Sequence, residues 1–497
     1  MQEFELKFQV PWPQRSALEA ALRQRGATRR VRLQAAYFDT PGRELAQAGL
    51  ALRLRKEGRH WVQTLKAAET DAWRRFEHDV RLRSMPPMVD PTRHAGTPPG
   101  DRLLALVRRA GPLAETYRTE VWRRACRIEH RLGHVELAFD LGEIRSGERR
   151  WPVCEFEIEL LDGAPEAVLE VAEHWMAHFG LWLDIRSKAE RGDRLAKGLL
   201  SVPATSARAV TLPRRATLAQ AWQAVLTAIW AHVGPNVCEL AQDDPQAADH
   251  RVEQVHQARV ALRRLRTALR FFDGWPGVPD TAAAQDAARA VFARLGLTRD
   301  RDVAAALLAP VWAAAGVSPP ESAMRMPAGS DGVAEALRSA EAQRLWLQLL
   351  RWRLAGPGPG GEVPFAPLAT KRLRSWHRAV VAQAAGFSAM DDAQRHALRK
   401  RIKRLRYAVD FAADLYEAGA VKGYRRALAA AQDCLGQLHD AAIAGARLAD
   451  VDASWAWYAR GWLTARREAL WPVCQASLAS LAEAPRFWKT LRGKRPG

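Results

Sequence analysis

The sequence has few cysteines and no long apolar run. It holds five cysteines in 497 residues, Cys126, Cys154, Cys238, Cys434 and Cys474, and no two form a Cys-x-x-Cys pair. An odd, dispersed set of this kind argues against a disulfide framework or a zinc site and reads as reduced thiols in a cytosolic protein. No stretch approaches the roughly 20 consecutive apolar residues that a membrane helix needs, and the acidic N-terminal segment lacks the features of a secretory leader. The expectation is a cytoplasmic protein without a membrane anchor. Acidic side chains are also in deficit, with 55 Asp and Glu against 75 Lys and Arg, a formal charge of +20. That balance favours a polyanionic partner, whether nucleic acid, an anionic membrane or polyphosphate. A hydrophobic share of 48% excludes wholesale disorder, and the length calls for two or more domains.

The first two hundred residues alternate with a period of two. In Met1 to Phe8, Glu3, Glu5 and Lys7 fall on one face of a strand, and Phe4, Leu6 and Phe8 on the other. Alone, this segment reads as an ordinary solvated strand face. Similar alternation recurs at residues 50–55, 61–66, 75–83, 121–128, 135–141 and 155–160, with turn residues such as Gly58, Gly133, Gly142 and Gly147 between. Residues 15–25, 165–179 and 188–200 read as helices. The polar faces segregate by sign. Glu3, Glu5, Glu155, Glu157 and Glu159 form acidic strands, whereas Arg53, Arg55, Lys66, Arg75 and Arg123 lie on basic ones. If such a sheet closes with these faces inward, the charges must be compensated, because burying a lone ion costs several kcal/mol or more. A divalent metal on the carboxylates and a phosphate chain on the cations would satisfy both.

These blocks resemble, in order, those of the CYTH or triphosphate tunnel metalloenzyme family. The matching residues are Glu3-x-Glu5-x-Lys7, Tyr37 to Pro41, Gly49 to Arg55, Thr64 to Lys66, Arg75 to Glu77, Thr119 with Arg123, Asp140 to Gly142, Glu155 to Leu160 and Ser187 to Gly192. The resemblance implies an α+β domain, an eight-stranded antiparallel β tunnel with flanking helices, over residues 1–202. It implies Lys7, Arg53, Arg55, Lys66, Arg75, Arg123, Lys188 and Arg191 as triphosphate ligands. Glu3, Glu5, Glu155, Glu157, Glu159 and Asp140 are implied as ligands of Mg²⁺ or Mn²⁺, and Glu5, Lys7 and Lys66 as catalytic residues. A cross-strand ion pair is the competing reading of Arg75 and Glu77. Asp39 reads as a turn-stabilising side chain.

Residues 203–213 read as a linker. Beyond them strand patterns vanish, and a motif repeats 140 positions apart. His256-x-x-Arg259-x-x-x-Arg263-Arg264-Leu265-Arg266 recurs as His396-x-x-Arg399-x-x-x-Lys403-Arg404-Leu405-Arg406, and Leu295-Gly296 with Asp300 recurs as Leu435-Gly436 with Asp440. On a helix, His256, Arg259, Arg263, Arg266 and Arg270 share a face, opposite a stripe of Val255, Leu262, Leu265, Leu269 and Phe272. Like charges stacked in this way repel, so the ridge is costly without anions. A solvated helix face is the alternative for the ridge, and hydrogen-bonded structural roles for the histidines.

Residues 214–485 resemble the CHAD domain on these two repeats. That resemblance implies an all-α domain of two pseudo-symmetric four-helix bundles, with Gly356 to Pro364 in a loop between them. It also implies a basic surface that binds long-chain inorganic polyphosphate through His256, Arg259, Arg263, Arg264, Arg266, His396, Arg399, Lys403, Arg404 and Arg406. Arg301 and Asp302 resemble part of the first-half motif, whereas in the second half Arg299 is replaced by His439 and Asp302 has no acidic equivalent at Ala442. Trp222, Trp230, Trp346, Trp352, Trp455 and Trp457 read as packing residues.

Together the two resemblances imply a metal-dependent inorganic triphosphatase that cuts PPPi to PPi and Pi. Its helical half would hold polyphosphate and tether the enzyme to polyphosphate granules. The competing readings are an adenylate cyclase, another organic-triphosphate enzyme acting on thiamine triphosphate or nucleotides, and a non-enzymatic polyphosphate binder. No nucleic-acid signature is present, and neither nucleic acid nor a membrane is an expected partner.

Overall fold

A computed structural model describes residues 2–68, 74–82, 87–244, 249–296, 307–317, 332–355, 358–489 and 491. The side chains of residues 2, 3, 74 and 75 lie outside that set. The chain forms two compact units. The first comprises Met1–Ala204, Val237–Arg251 and Leu337–Leu354, and the second Thr205–Asn236, Val252–Ala336 and Ala355–Gly497.

The first unit is built on a closed antiparallel barrel. Its strands are β1 (Gln2–Gln9), β2 (Arg29–Asp39), β3 (Leu50–Glu57), β4 (His60–Ala68), β5 (Arg74–Leu82), β6 (Ala114–His130), β7 (Gly133–Ser146) and β8 (Arg149–Gly163). They run in the order β5-β4-β3-β2-β6-β7-β8-β1, and β1 pairs back onto β5. Closure removes the unpaired edges that an open sheet would present. A two-residue strand, β9 (Trp182–Leu183), extends the sheet beyond β1.

Because residues opposite one another in a ladder share a face, the register sends the apolar set outward. Helix α1 (Arg15–Gln24) is anchored by the fully buried Leu18 and Leu22. Leu50, Leu52 and Leu65 of β3 and β4 pack with Leu45 of α2 (Glu44–Gln47) and Leu103 of α3 (Pro98–Ala110). Helix α3 starts at Thr97, whose side chain accepts from the Gly100 amide, and ends at Gly111. Phe156 of β8 lies 4.8 Å from the Trp175 ring of α4 (Pro165–Phe179). Each such fully buried side chain stabilises the fold by about 1.5–3 kcal/mol.

Helix α5 (Lys188–Ala196) occupies the barrel interior at one end. Its Leu195 belongs to a buried cluster with Leu33, Tyr37, Tyr117, Ile144, Trp151 and Val153, and the Tyr117 hydroxyl donates to the Ala189 carbonyl at 2.9 Å. A Cβ at Gly192 would come 2.1 Å from the Tyr117 ring, so this approach tolerates only glycine.

The second unit is helical. Helix α6 (Leu218–Gln242) contributes its residues up to Asn236 to this unit and those from Val237 to the first. Then come α7 (Arg251–Phe272), α8 (Ala282–Arg294), α9 (Val333–Arg338) and α10 (Ala340–Leu354), of which α10 lies wholly in the first unit. They are followed by α11 (Phe365–Ala384), α12 (Asp392–Ala412), α13 (Ala418–Arg447) and α14 (Ser454–Glu483). The two copies of the histidine–arginine motif fall on α7 and α12. Leu262, Leu265, Leu269 and Phe272 of one and Leu398, Ile402, Leu405 and Val409 of the other are fully buried. No helix among the described residues is long and apolar enough to cross a membrane.

Two sequence expectations fail here. Cys434 and Cys474 are joined by a disulfide, because α13 and α14 pack side by side and bring their Cα atoms to 5.5 Å. Cys126, Cys154 and Cys238 are free thiols. Trp457 is 57% exposed, because it falls off the stripe of Ala456, Ala459 and Leu463 that α14 buries. Trp222, Trp230, Trp346 and Trp352 are buried. Gly356 and Pro357 lie outside the described residues.

Candidate active site and anion-binding cleft

The inward faces of the barrel line a cavity of about 560 Å³. Glu5, Lys7, Arg53, Arg55, Lys66, Arg123, Asp140, Glu157, Glu159 and Lys188 all contribute to its wall. Glu155 and Arg191 lie beneath the wall, each 1% exposed and paired with one another. Glu3 and Arg75 face each other in the β1–β5 ladder, but their side chains lie outside the described set.

The charges are arranged in two groups. Asp140, Glu155 and Glu157 each offer an oxygen within 4.8 Å of the others. The Lys188 ammonium sits among all three, at 2.8, 2.6 and 2.8 Å. Arg123 donates to both oxygens of Asp140 at 2.7 Å and also reaches Glu157. Glu5 pairs with Lys7 on the same face of β1. Across the cavity, Glu77 accepts from Arg53 at 3.2 Å and pairs with Lys66 at 2.6 Å, and Arg55 pairs with Glu57. Glu77 is therefore compensated by Arg53 and Lys66. Asp39 accepts from the amides of Thr40, Leu45 and Ala46, and so stabilises the turn after β2.

These pairings fix the protonation states. Burial alone would raise the Glu157 carboxyl, but Lys188, Arg123 and Lys7 hold it well below the usual carboxylate range. Asp140 is likewise held down, by Arg123 and Lys188 against the effect of burial. Burial would depress the Lys188 ammonium, yet Asp140 and Glu157 keep it above its ordinary value. Asp140 and Glu157 are thus ionised, and with Glu155 they offer hard oxygen donors, the chemistry that suits Mg²⁺ or Mn²⁺. The same oxygens already gather around one cation, the Lys188 ammonium. The donor set fits a divalent ion.

A buried hydrogen-bond network supports the acidic trio from behind. Gln9, the next inward residue of β1, donates through Nε2 to Glu155 at 3.1 Å and to Asp184 at 3.0 Å. Asp184 accepts two bonds from Arg186, at 2.9 and 2.7 Å. Arg186 in turn reaches Glu239 of α6 at 3.3 Å, and Glu239 also accepts from Arg194 of α5 at 2.5 Å. Asp184 and Arg186 are each 2% exposed.

The second unit contains a cleft of about 1150 Å³. It brings the two motif copies together. His256, Arg259, Arg263, Arg264, Arg266, His396, Arg399, Lys403, Arg404 and Arg406 all line it, with Arg270, Lys400 and Arg425 added. Phe292 of α8 lies beneath three of the guanidiniums, with Arg259, Arg266 and Arg263 at 4.6, 5.5 and 5.7 Å from its ring.

A Cβ at Gly296 would come 2.7 Å from Arg259 Nη1, so Arg259 would have to shift, whereas one at Gly436 would make only ordinary contact with Arg399 Nη2 at 3.8 Å. Like-charge crowding is evident in Arg404, pushed down to about 10 first by burial and then by Arg270, Arg401 and Arg266. His439 is lowered to about 4 by burial, Arg399 and His396. Asp300, Arg301 and Asp302 lie outside the described residues.

Family comparisons agree with both halves: residues 1–192 match the CYTH domain and residues 231–449 the CHAD domain. The chain joins a CYTH domain to a CHAD domain. It is 28% identical over 160 residues to an inorganic triphosphatase of Haemophilus influenzae, a match covering 31% of this chain and 44% of that protein. The chain therefore spans less than half the length of that curated relative. Among solved structures it is similar to the CHAD domain of the plant Ricinus communis. The identity is 29% and the TM-score 0.46, covering 57% of this chain and 98% of that one. It is also similar to a Hippeastrum protein proposed as an adenylyl cyclase and described as having a dominant triphosphatase activity. Here the identity is 19% and the TM-score 0.30, covering 40% and 97%.

Sequence reasoning passed over several residues of the CYTH site. Gln9 simply continues the alternation of Glu3, Glu5 and Lys7. Tyr37 lines the cavity 3.5 Å from Arg53. Burial would raise its phenol, but Arg53, Lys66 and Arg55 draw it below its ordinary value. Glu239 lies outside the CYTH match altogether, and no local pattern announces it. In the CHAD cleft, Arg425 and Phe292 come from α13 and α8, outside the histidine–arginine repeat.

Proposed function

We propose that the CYTH domain is a metal-dependent inorganic triphosphatase, hydrolysing PPPi to PPi and Pi, and that the CHAD domain binds long-chain inorganic polyphosphate. One observation carries the first part. A single closed tunnel presents a buried acidic cluster on one side and Arg53, Arg55 and Lys66 on the other.

In this reading Arg53, Arg55, Lys66, Arg123 and Lys7 grip the phosphoryl oxygens, arginine by paired N–H donors and lysine as a point charge. Asp140, Glu155, Glu157 and Glu5, with Glu3 and Glu159 on the same strands, would hold Mg²⁺ or Mn²⁺. The bound ion supplies Lewis-acid polarisation of a phosphoryl oxygen. Glu5, paired with Lys7, orients the attacking water. The water oxygen bonds to phosphorus as the bridging P–O bond breaks, PPi departs with the bridging oxygen, and the released proton passes to solvent. Lys66 offsets the charge that develops on the departing group.

The deciding measurement is phosphate release from PPPi, ATP and thiamine triphosphate, with Mg²⁺ and with EDTA. Release from PPPi with Mg²⁺ and its loss in EDTA are the expected result. Release from none of the three with metal present would overturn the enzymatic reading.

For the CHAD cleft, Arg263→Glu is expected to weaken long-chain polyphosphate binding about tenfold near 0.1 M salt and to flatten its salt dependence, as when counterion-releasing contacts are lost. Titration at several salt concentrations reads both effects. Unchanged affinity would remove the cleft from consideration. Retention on such chains would hold the protein at cytoplasmic polyphosphate granules.

A further inference from the structure

Beside the tunnel lies a second cavity of about 580 Å³. It is continuous with the first, since Leu33, Arg55, Glu136 and Arg123 line both. Its own additions include Arg29 and Arg127, from inward positions of β2 and β6. This is the mouth of the barrel away from α5, whose contacts with Tyr117 lie toward the other end.

The composition of the mouth is informative. Four arginines face two glutamates, and both glutamates are partnered, Glu57 with Arg55 and Glu136 with Arg127 at 3.7 Å. The remaining lining is small or aliphatic, namely Ala27, Val31, Leu33 and Ala125. Its described residues include no aromatic ring and no side-chain amide, the groups that would stack on or read a base. The volume lies within the roughly 300–1,000 Å³ of small-ligand sites. Arg55, Arg123 and Arg127 each pair with a carboxylate, so Arg29 and the solvent-facing side of Arg127 supply the charge that the mouth offers, and such charge without a base platform suits more phosphate rather than a nucleoside.

We propose that this mouth is a subsite for the fourth and following phosphates of a linear inorganic polyphosphate, with Arg29 and Arg127 as its specificity residues. The chain enters terminus first and lays its continuing phosphates across the mouth. The proposal rests on the triphosphatase reading of the tunnel and narrows its substrate class to unsubstituted phosphate chains.

Competition against PPPi turnover by the full-length protein tests it, because tetrapolyphosphate competes for the tunnel whether or not it is cut. The inhibition constant of tetrapolyphosphate is expected to lie about tenfold below the KM for PPPi, about 1.4 kcal/mol, the worth of two partly exposed ion pairs. Arg29→Ala with Arg127→Ala should erase that gain while moving the KM for PPPi far less. Arg30→Ala is the control. Arg30 lies on the opposite face of the same strand, 4.4 Å from the Trp122 ring, and its loss should leave the gain intact.

Equal binding of the two chains by the unmodified protein would overturn the subsite. So would a gain that survives the double variant, or one that Arg30→Ala also erases. If PPPi is not hydrolysed, calorimetric titration of both chains onto protein carrying Arg263→Glu and Lys403→Glu, with the CHAD cleft disabled, reads the same difference. Absence of turnover then sinks the catalytic reading alone, and the mouth is decided on binding.

Discussion

Glu5→Ala is expected to lower kcat for PPPi by about 10²–10³-fold, the scale of loss when one preorganised electrostatic group leaves a site. The effect should fall on kcat rather than on KM. Glu5 shares a face of β1 with Lys7 and pairs with it. Removing the carboxylate leaves the tunnel more positive, so a triphosphate should bind at least as tightly. What is lost is a carboxylate able to orient water and complete a metal site. Steady-state kinetics across Mg²⁺ concentrations separate these effects. A rise in KM with kcat preserved would make Glu5 a binding residue and contradict its assigned role. Retention of long-chain polyphosphate should persist, because the CHAD cleft takes no residue from β1. Its loss would show that the tunnel, and not the cleft, holds long chains.

Asp184→Ala is expected to destabilise the first unit by about 3–5 kcal/mol, the cost of stripping one partner from a buried ion pair. In a unit of this size that lowers Tm by about 10 °C. Asp184 accepts two bonds from Arg186, and both residues are 2% exposed. Burial would raise the Asp184 carboxyl, but Arg186 and Gln9 hold it below its usual value. After the substitution Arg186 keeps only Glu239 and Gln242. Calorimetry of the full chain measures the shift, and a change under about 1 kcal/mol would mean that water reaches the pair. Replacing Asp184 and Arg186 together by apolar residues of similar size should recover most of the loss. Activity should not recover with it, because Gln9 would have lost its second acceptor and no longer hold Glu155 in place.

Much of this was legible in the sequence, for identifiable reasons. Period-two alternation exposes β1, β3 and β8 because charged and apolar residues alternate along each. β2 escapes notice because Arg29, Arg30 and Arg32 blur its start, although Leu33, Ala35 and Tyr37 alternate inward. Helix α3 was marked by Thr97, Pro98 and Gly111, signals that lie between strands and are easily passed over. The repeat at 140 positions located the cleft residues because both copies face one cavity. Pairings that depend on tertiary register were not legible. Glu239 meets Arg186 across 53 positions, and Cys434 meets Cys474 across 40, with nothing local to announce either.

The first unit draws segments from three parts of the chain, ending at Leu354. Its barrel strands are all made by Leu183, yet Glu239 and α10 come later. At a synthesis rate of about 5–20 residues per second, the interval between Ala204 and Leu354 lasts roughly 10–30 s. Throughout that interval a nascent barrel holds Arg186 and Arg194 without Glu239, or without the helices that finish its surface. The first unit therefore stays incomplete on the ribosome until Leu354 has been made, however early its barrel strands pair.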